Sequence, residues 1–131
     1  MKKTGLLNQP LSALIAGLGH GDTVAITDAG LSIPLNVQRI DLAVSAGVPG
    51  FLDVMRAMLS EMQISGALVA RELSEHSPQF YAQMITLLDG VTLTEIPHAE
   101  LLVQTRSARA AVRTGEFTPF ANIILISEVI F

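Results

Sequence analysis

Leu18-Gly-His-Gly-Asp-Thr-Val-Ala-Ile-Thr-Asp-Ala-Gly-Leu-Ser-Ile-Pro34 sets an apolar run, Val24 to Ile26, between a histidine hemmed by glycines and an aspartate followed by Ala29 and Gly30. A run this short and this apolar predicts one buried strand. Functional groups are expected at both of its ends. His20 carries the side chain whose ordinary pKa, about 6.5, lets it give and take protons near neutrality. Asp28 follows the strand's carboxyl end, where open α/β sheets bind their ligands, and is placed to hold a polar one. The same residues also suit plain connections, since glycines around a histidine make a tight turn and Asp-Ala-Gly is ordinary turn chemistry.

Outward from this strand the chain alternates. On its amino side Leu11, Leu14, Ile15 and Leu18 recur at helical spacing, with Pro10 suited to a first turn and Gly19 to a stop. Lys2-Lys3 before that apolar stretch imitates a secretory signal, but the stretch is short, Asn8-Gln9-Pro10 interrupts its approach and no cleavage motif comes after it, so a helix is expected. On the carboxyl side, residues 29–38 read as an irregular loop and 39–44 as a second strand ending in the Gly47-Val-Pro-Gly50 turn. Phe51, Val54, Met55, Met58, Leu59 and Met62 give the clearest helix, with the methionines as core filler. Further strands are expected at 66–70, 91–96, 110–113 and 122–126. Helices are expected from Ser77-Pro78 to Leu88, with Phe80, Met84, Leu87 and Leu88 inward, and over 97–104. Strands separated by helices imply an α/β layered fold, with a mostly parallel sheet of about six strands flanked by helices in one domain spanning residues 1–131.

Composition bounds the partners. Half of the 131 residues are hydrophobic and only 15% are charged, against about 25% in an average soluble domain. That apolar surplus predicts burial between subunits of a homo-oligomer, because no apolar run approaches the roughly 20 residues of a membrane span. The apolar Val129-Ile-Phe131 end is expected to lie against a neighbouring subunit. A net charge of −4 with scattered Lys and Arg supplies no footprint for nucleic acid or anionic lipid. The absence of cysteine excludes disulfides and thiolate metal sites and fits a reducing, cytoplasmic setting.

Familiar chemical motifs are missing. Gly17-Leu-Gly-His-Gly-Asp22 resembles a dinucleotide fingerprint superficially, but it follows a helix and opens a strand, the reverse of a phosphate-cradling loop. The three histidines lie too far apart in sequence to propose a metal site. His76 reads as a solvated loop residue, whereas His98, after Ile96-Pro97 at a strand exit, stands where α/β ligands bind. Residues 113–122 form a polar loop with Gly and Pro, either a plain connector or a site lining.

Taken together, several stretches resemble the ribose pyranase and fucose mutarotase family from end to end. They are Lys2 to Asn8 with one residue out of step at Thr4-Gly5, Leu18-Gly-His20, Asp28-Ala-Gly-Leu31, Arg39-Ile-Asp41, Gly47-Val-Pro49, Glu61-Met62, Arg113-Thr-Gly-Glu-Phe-Thr-Pro119 and Ala121-Asn-Ile-Ile-Leu125. The resemblance implies a cofactor-free, metal-free enzyme that interconverts the pyranose and furanose forms of D-ribose, acting as a ring-shaped decamer with sites near subunit contacts. By position it makes His20 the proton donor and has Asp28, His98, Phe120, Ala121 and Asn122 hold the sugar. Two departures stand out. The family commonly has tyrosine where this chain has Phe120, and a lysine where it has Leu102.

The implied chemistry suits the residues. Ring forms exchange through the open-chain aldehyde, so a proton must reach the ring oxygen while another leaves the anomeric hydroxyl, and one acid–base group near neutrality can serve. Three alternatives remain: a non-catalytic sugar-binding accessory of an uptake system, a mutarotase for another sugar such as fucose, and a purely structural or regulatory homo-oligomer that binds no sugar. Five residues from Thr23 to Thr27 extend about 17 Å. His20 and Asp28 therefore meet either through a fold-back of the glycine-rich loop or across a subunit contact, which is the arrangement expected here.

Overall fold

The computed structural model describes all residues from Met1 to Phe131. Its elements run α1 (Gln9–Ala16), β1 (Thr23–Thr27), β2 (Gln38–Asp41), α2 (Phe51–Leu59), β3 (Ile64–Ala70), α3 (Arg71–His76), α4 (Pro78–Leu88), β4 (Thr92–Ile96), α5 (His98–Thr105), β5 (Ala110–Arg113) and β6 (Ile123–Ser127). The six strands form one sheet in the order β2-β5-β1-β6-β3-β4. β1 and β2 pair parallel with β5, and β3 pairs parallel with β4. Only β6 is reversed, antiparallel to β1 and β3, so the expected mostly parallel α/β sheet is present.

Alternation along the central strands divides the core into two layers. Val24 and Ile26 of β1, Ala110 and Val112 of β5, and Ile123 and Leu125 of β6 face a core of 21 buried residues that includes Leu11 of α1, Met55 and Met58 of α2, and Met84 of α4. Ala25, Ala111 and Ile124 point the other way, into a smaller cluster of 8 closed by Leu101 of α5 with Ile33 and Val37. The small alanine side chains let that second layer pack close to the sheet.

Local signals start and stop the helices where the side chains supply them. Asn8 caps α1, its Oδ1 accepting from Leu11 N at 3.0 Å, with Pro10 in the first turn. Asp89 and Gly90, at φ 48° and 81°, end α4 in the left-handed conformation. Ser77 does take the N-cap position of α4, but its hydroxyl makes no capping bond. Two expectations need correction, the bounds of the second strand and the loop around His76. β2 stops at Asp41, where its carboxylate meets Arg113 and the chain turns away. The 71–76 stretch is a helix, α3, entered directly from β3; six residues with only Leu73 buried are too few to show a period. His76 is therefore the last residue of a helix and not part of a loop, although it is exposed.

The reversal of β6 decides which loops meet. Ile26 stands opposite Ile123 and Thr23 opposite Ile126. Residues just before β6 consequently meet those just after β1, and residues just after β6 meet those just before β1. Ile130 and Phe131, beyond this strand, stand fully out from the fold, as does Leu35.

Candidate active site

At the carboxyl end of β1, Asp28 and Asn122 bind each other reciprocally. The Asp28 backbone N–H donates to Asn122 Oδ1 at 3.0 Å, and Asn122 Nδ2 donates to Asp28 Oδ2 at 2.9 Å. Asn122 is buried, so both bonds are shielded from competing water. The other carboxylate oxygen, Oδ1, accepts from Gly30 N at 2.9 Å and closes the turn. Beside the pair lies a cavity of about 380 Å³ lined by Asp28, Gly30, Arg113, Glu116, Phe117 and Thr118, within the usual range for small-molecule sites, roughly 300–1,000 Å³.

Phe120 holds a left-handed backbone, φ 63°, a conformation costly for a residue with a Cβ and kept where surroundings impose it. Its carbonyl accepts from Asn122 N at 2.7 Å, and buried Ala121 lies between. The ring stands between two histidines, His76 at 5.2 Å and His98 at 5.1 Å between centroids, the latter edge to face. His98 opens α5, its backbone N–H donating to Glu72 Oε2 of α3 at 2.9 Å. Glu72 is held below the usual carboxyl range by its own backbone N–H first and then by that of His98, against the opposing effect of burial. Buried His98 Nδ1 meets no hydrogen-bond partner. A polar atom in that position is available to a ligand.

His20 lies at the opposite end of β1. Gly21, at φ 79°, turns the loop so that its N–H donates to Ser127 O at 2.9 Å, while Ser127 N donates to Asp22 O at 2.8 Å. The imidazole Nδ1 is 2.7 Å from Glu128 Oε1, and the side chain is otherwise 68% exposed. The fold thus gathers Asp28, Asn122, Phe120, Ala121 and His98 at one edge and leaves His20 at the other. No fold-back of the glycine loop joins them within the chain.

Three partners were invisible to sequence reasoning: Glu72, Glu128 and the His76 ring tilted against Phe120. Glu116 was covered only as part of a loop. Its Oε1 accepts from Thr118 N, Thr118 Oγ1 and Phe117 N, and its Oε2 from Phe51 N at the start of α2. One carboxylate thereby shapes the cavity wall and caps a helix 65 residues away. Behind it Gly115 has no room for a side chain, since a Cβ would lie 2.5 Å from Val48 O and 2.6 Å from Ser45 O.

Burial of the Glu116 carboxyl opposes its ionisation, but the donors from Thr118, Phe51 and Phe117 together outweigh it and hold the group below its ordinary 4.5. A folded value below the unfolded one favours the charged form in the fold. Its contribution is therefore present above the unfolded value and is lost as pH falls through the folded one. Glu116→Gln is expected to cost about 1.5 kcal/mol at pH 7, or about 5 °C in melting temperature. The gap to wild type should narrow below pH 4.5. A gap that stays constant from neutral to strongly acid pH would show that the charge does not hold this loop.

Residues 1–130 match the model of the RbsD / FucU transport protein family, and the chain belongs to that family. It is 50% identical over 131 residues, the whole of both chains, to a protein of Coprothermobacter proteolyticus named D-ribose pyranase. Bacillus subtilis RbsD, solved in complex with D-ribose, superposes with a TM-score of 0.97 at 37% identity over the full length of both chains. The fucose mutarotase of Streptococcus pneumoniae, solved with L-fucose, shares the fold at a TM-score of 0.82 and 20% identity, with 95% of each chain covered. No three His, Cys, Asp or Glu side chains converge as a metal site, and no helix is long and apolar enough to cross a membrane.

Proposed function

We propose that residues 1–131 form one sugar-ring isomerase domain that interconverts the pyranose and furanose forms of D-ribose, without cofactor, in the cytoplasm. The observation that carries this function is the Asp28–Asn122 pair, followed back along the chain by Ala121 and by Phe120, whose ring meets His98, in a chain half identical along its whole length to a D-ribose pyranase. Acceptors on Asp28 and Asn122 and the free His98 Nδ1 suit sugar hydroxyls, while the Phe120 ring suits the apolar C–H face of the ring.

His20 is the proton donor. Its imidazolium gives a proton to the ring oxygen as the C1–O bond breaks, and the anomeric hydroxyl proton leaves to solvent, giving the aldehyde. The C4 hydroxyl in place of the C5 hydroxyl then attacks C1, returns its proton to His20, and the carbonyl oxygen takes one from solvent. Since His20 and Asn122 stand at opposite ends of β6, the complete site is shared between neighbouring subunits of a homo-oligomer, a decamer by family resemblance. Exposed Ile130, Phe131, Leu35 and Phe117 support such assembly.

Saturation-transfer NMR tests the activity. Protein added to D-ribose should accelerate magnetisation transfer between pyranose and furanose signals well beyond the spontaneous rate, and more than it accelerates exchange in L-fucose or D-allose. Binding of ribose with exchange left at the spontaneous rate would instead mark a sugar-binding accessory. Preference for L-fucose would trace to the missing phenolic hydroxyl at Phe120 and ammonium at Leu102.

A further inference from the structure

Glu128 has no part in the sugar-holding edge, yet it makes the one side-chain hydrogen bond of His20, at 2.7 Å from Nδ1. Both partners are tied to the sheet. Glu128 Oε1 also accepts from Val129 N at 2.8 Å, and the Glu128 backbone N–H donates to Gln63 O at 3.0 Å. The His20 loop is fixed from its own side by the Gly21 and Ser127 bonds. The neighbouring charges are otherwise engaged: Asp22 Oδ2 accepts from Gly19 N at 2.9 Å and lies 3.7 Å from Arg109 Nε. The contact therefore differs from a pair of free surface chains, whose ordering entropy cancels most of their attraction.

We propose that Glu128 is the positioning residue of His20, its carboxylate holding Nδ1–H so that Nε2 is the atom that gives the proton and takes it back. This rests on His20 being the acid–base group. An imidazolium can lose either proton. Loss from Nδ1 leaves a neutral ring with hydrogen still on Nε2, unable to accept the proton of the attacking hydroxyl. A carboxylate is an acceptor only, so it keeps hydrogen on Nδ1 and leaves the Nε2 lone pair free. It also fixes the ring plane, and orientation of this kind acts on the chemical step more than on sugar affinity.

The test combines ring-exchange kinetics with imidazole ¹⁵N NMR on the assembled protein. Glu128→Ala is expected to lower kcat by about 10- to 100-fold with KM changed less than about twofold, and to move neutral His20 from the Nδ1–H to the Nε2–H tautomer. Glu128→Gln keeps an acceptor for both Val129 N–H and Nδ1–H, so it should retain the Nδ1–H tautomer and recover most of the rate. Wild-type kcat in Glu128→Ala would overturn the proposal. So would a fall in kcat with the tautomer unchanged, which would mean that Glu128 serves only to anchor the chain through Val129. His20→Ala separates the two levels: full ring exchange in that variant removes the acid–base role itself, whereas a dead His20→Ala beside a normal Glu128→Ala removes only the positioning role.

Discussion

His20→Ala is expected to lower catalysed pyranose–furanose exchange by about 10²- to 10⁴-fold, the usual contribution of a positioned acid–base group. Melting temperature should hardly move. Within its own chain the side chain is 68% exposed and its one side-chain hydrogen bond is with Glu128, so the fold of each subunit should change by no more than about 0.5 kcal/mol. Sugar binding should also survive, since the Asp28, Asn122 and His98 side chains proposed to hold the sugar are unchanged in the half-site that His20 completes. Exchange rates by saturation transfer, read beside ribose affinity by calorimetry, check all three. An active variant would return the proton transfer to another group; a variant that is inactive because it no longer binds ribose would make His20 a binding residue.

The second large effect is complementation. Asn122→Ala removes both side-chain bonds to Asp28 and should also abolish exchange. Mixed after dissociation and reassembly, inactive His20→Ala and inactive Asn122→Ala proteins should regain activity, because a contact that joins a native His20 from one subunit to a native Asn122 from the next is whole. Random mixing makes about one contact in four of that kind, so recovery should approach a quarter of the wild-type rate. Mass spectrometry confirms that mixed oligomers have formed. No recovery in their presence would place both residues in a site within one chain.

Much of this arrangement is legible in the chain. Strand β5 can be read to the residue, because Ala110 to Val112 is a short apolar run between Arg109 and Arg113. The length of β1 sets His20 and Asp28 apart unless the glycine loop folds back, an alternative that only the loop's bonds to Ser127 close. Asp28 and Asn122 could be nominated singly, though not as a pair, since the reciprocal bonds join positions 94 residues apart. Glu128 gave no signal for a related reason. Its role depends on an antiparallel neighbour, and an acidic residue before Val-Ile-Phe at a chain end looks like any solvated charge. His76 was misplaced because α3 buries only Leu73, so no periodicity marks the helix that brings the imidazole to Phe120.

The single reversed strand has a consequence for stoichiometry. β6 is entered from Asn122 and left through Glu128, so under the proposed shared site each subunit owns two unlike half-sites on opposite rims. Unlike halves join head to tail, and a closed ring of such contacts holds as many complete sites as subunits, with no half left over. A lone subunit holds none. Catalysis under this arrangement is a property of the contact, and dilution that parts the ring silences every site while leaving each chain folded.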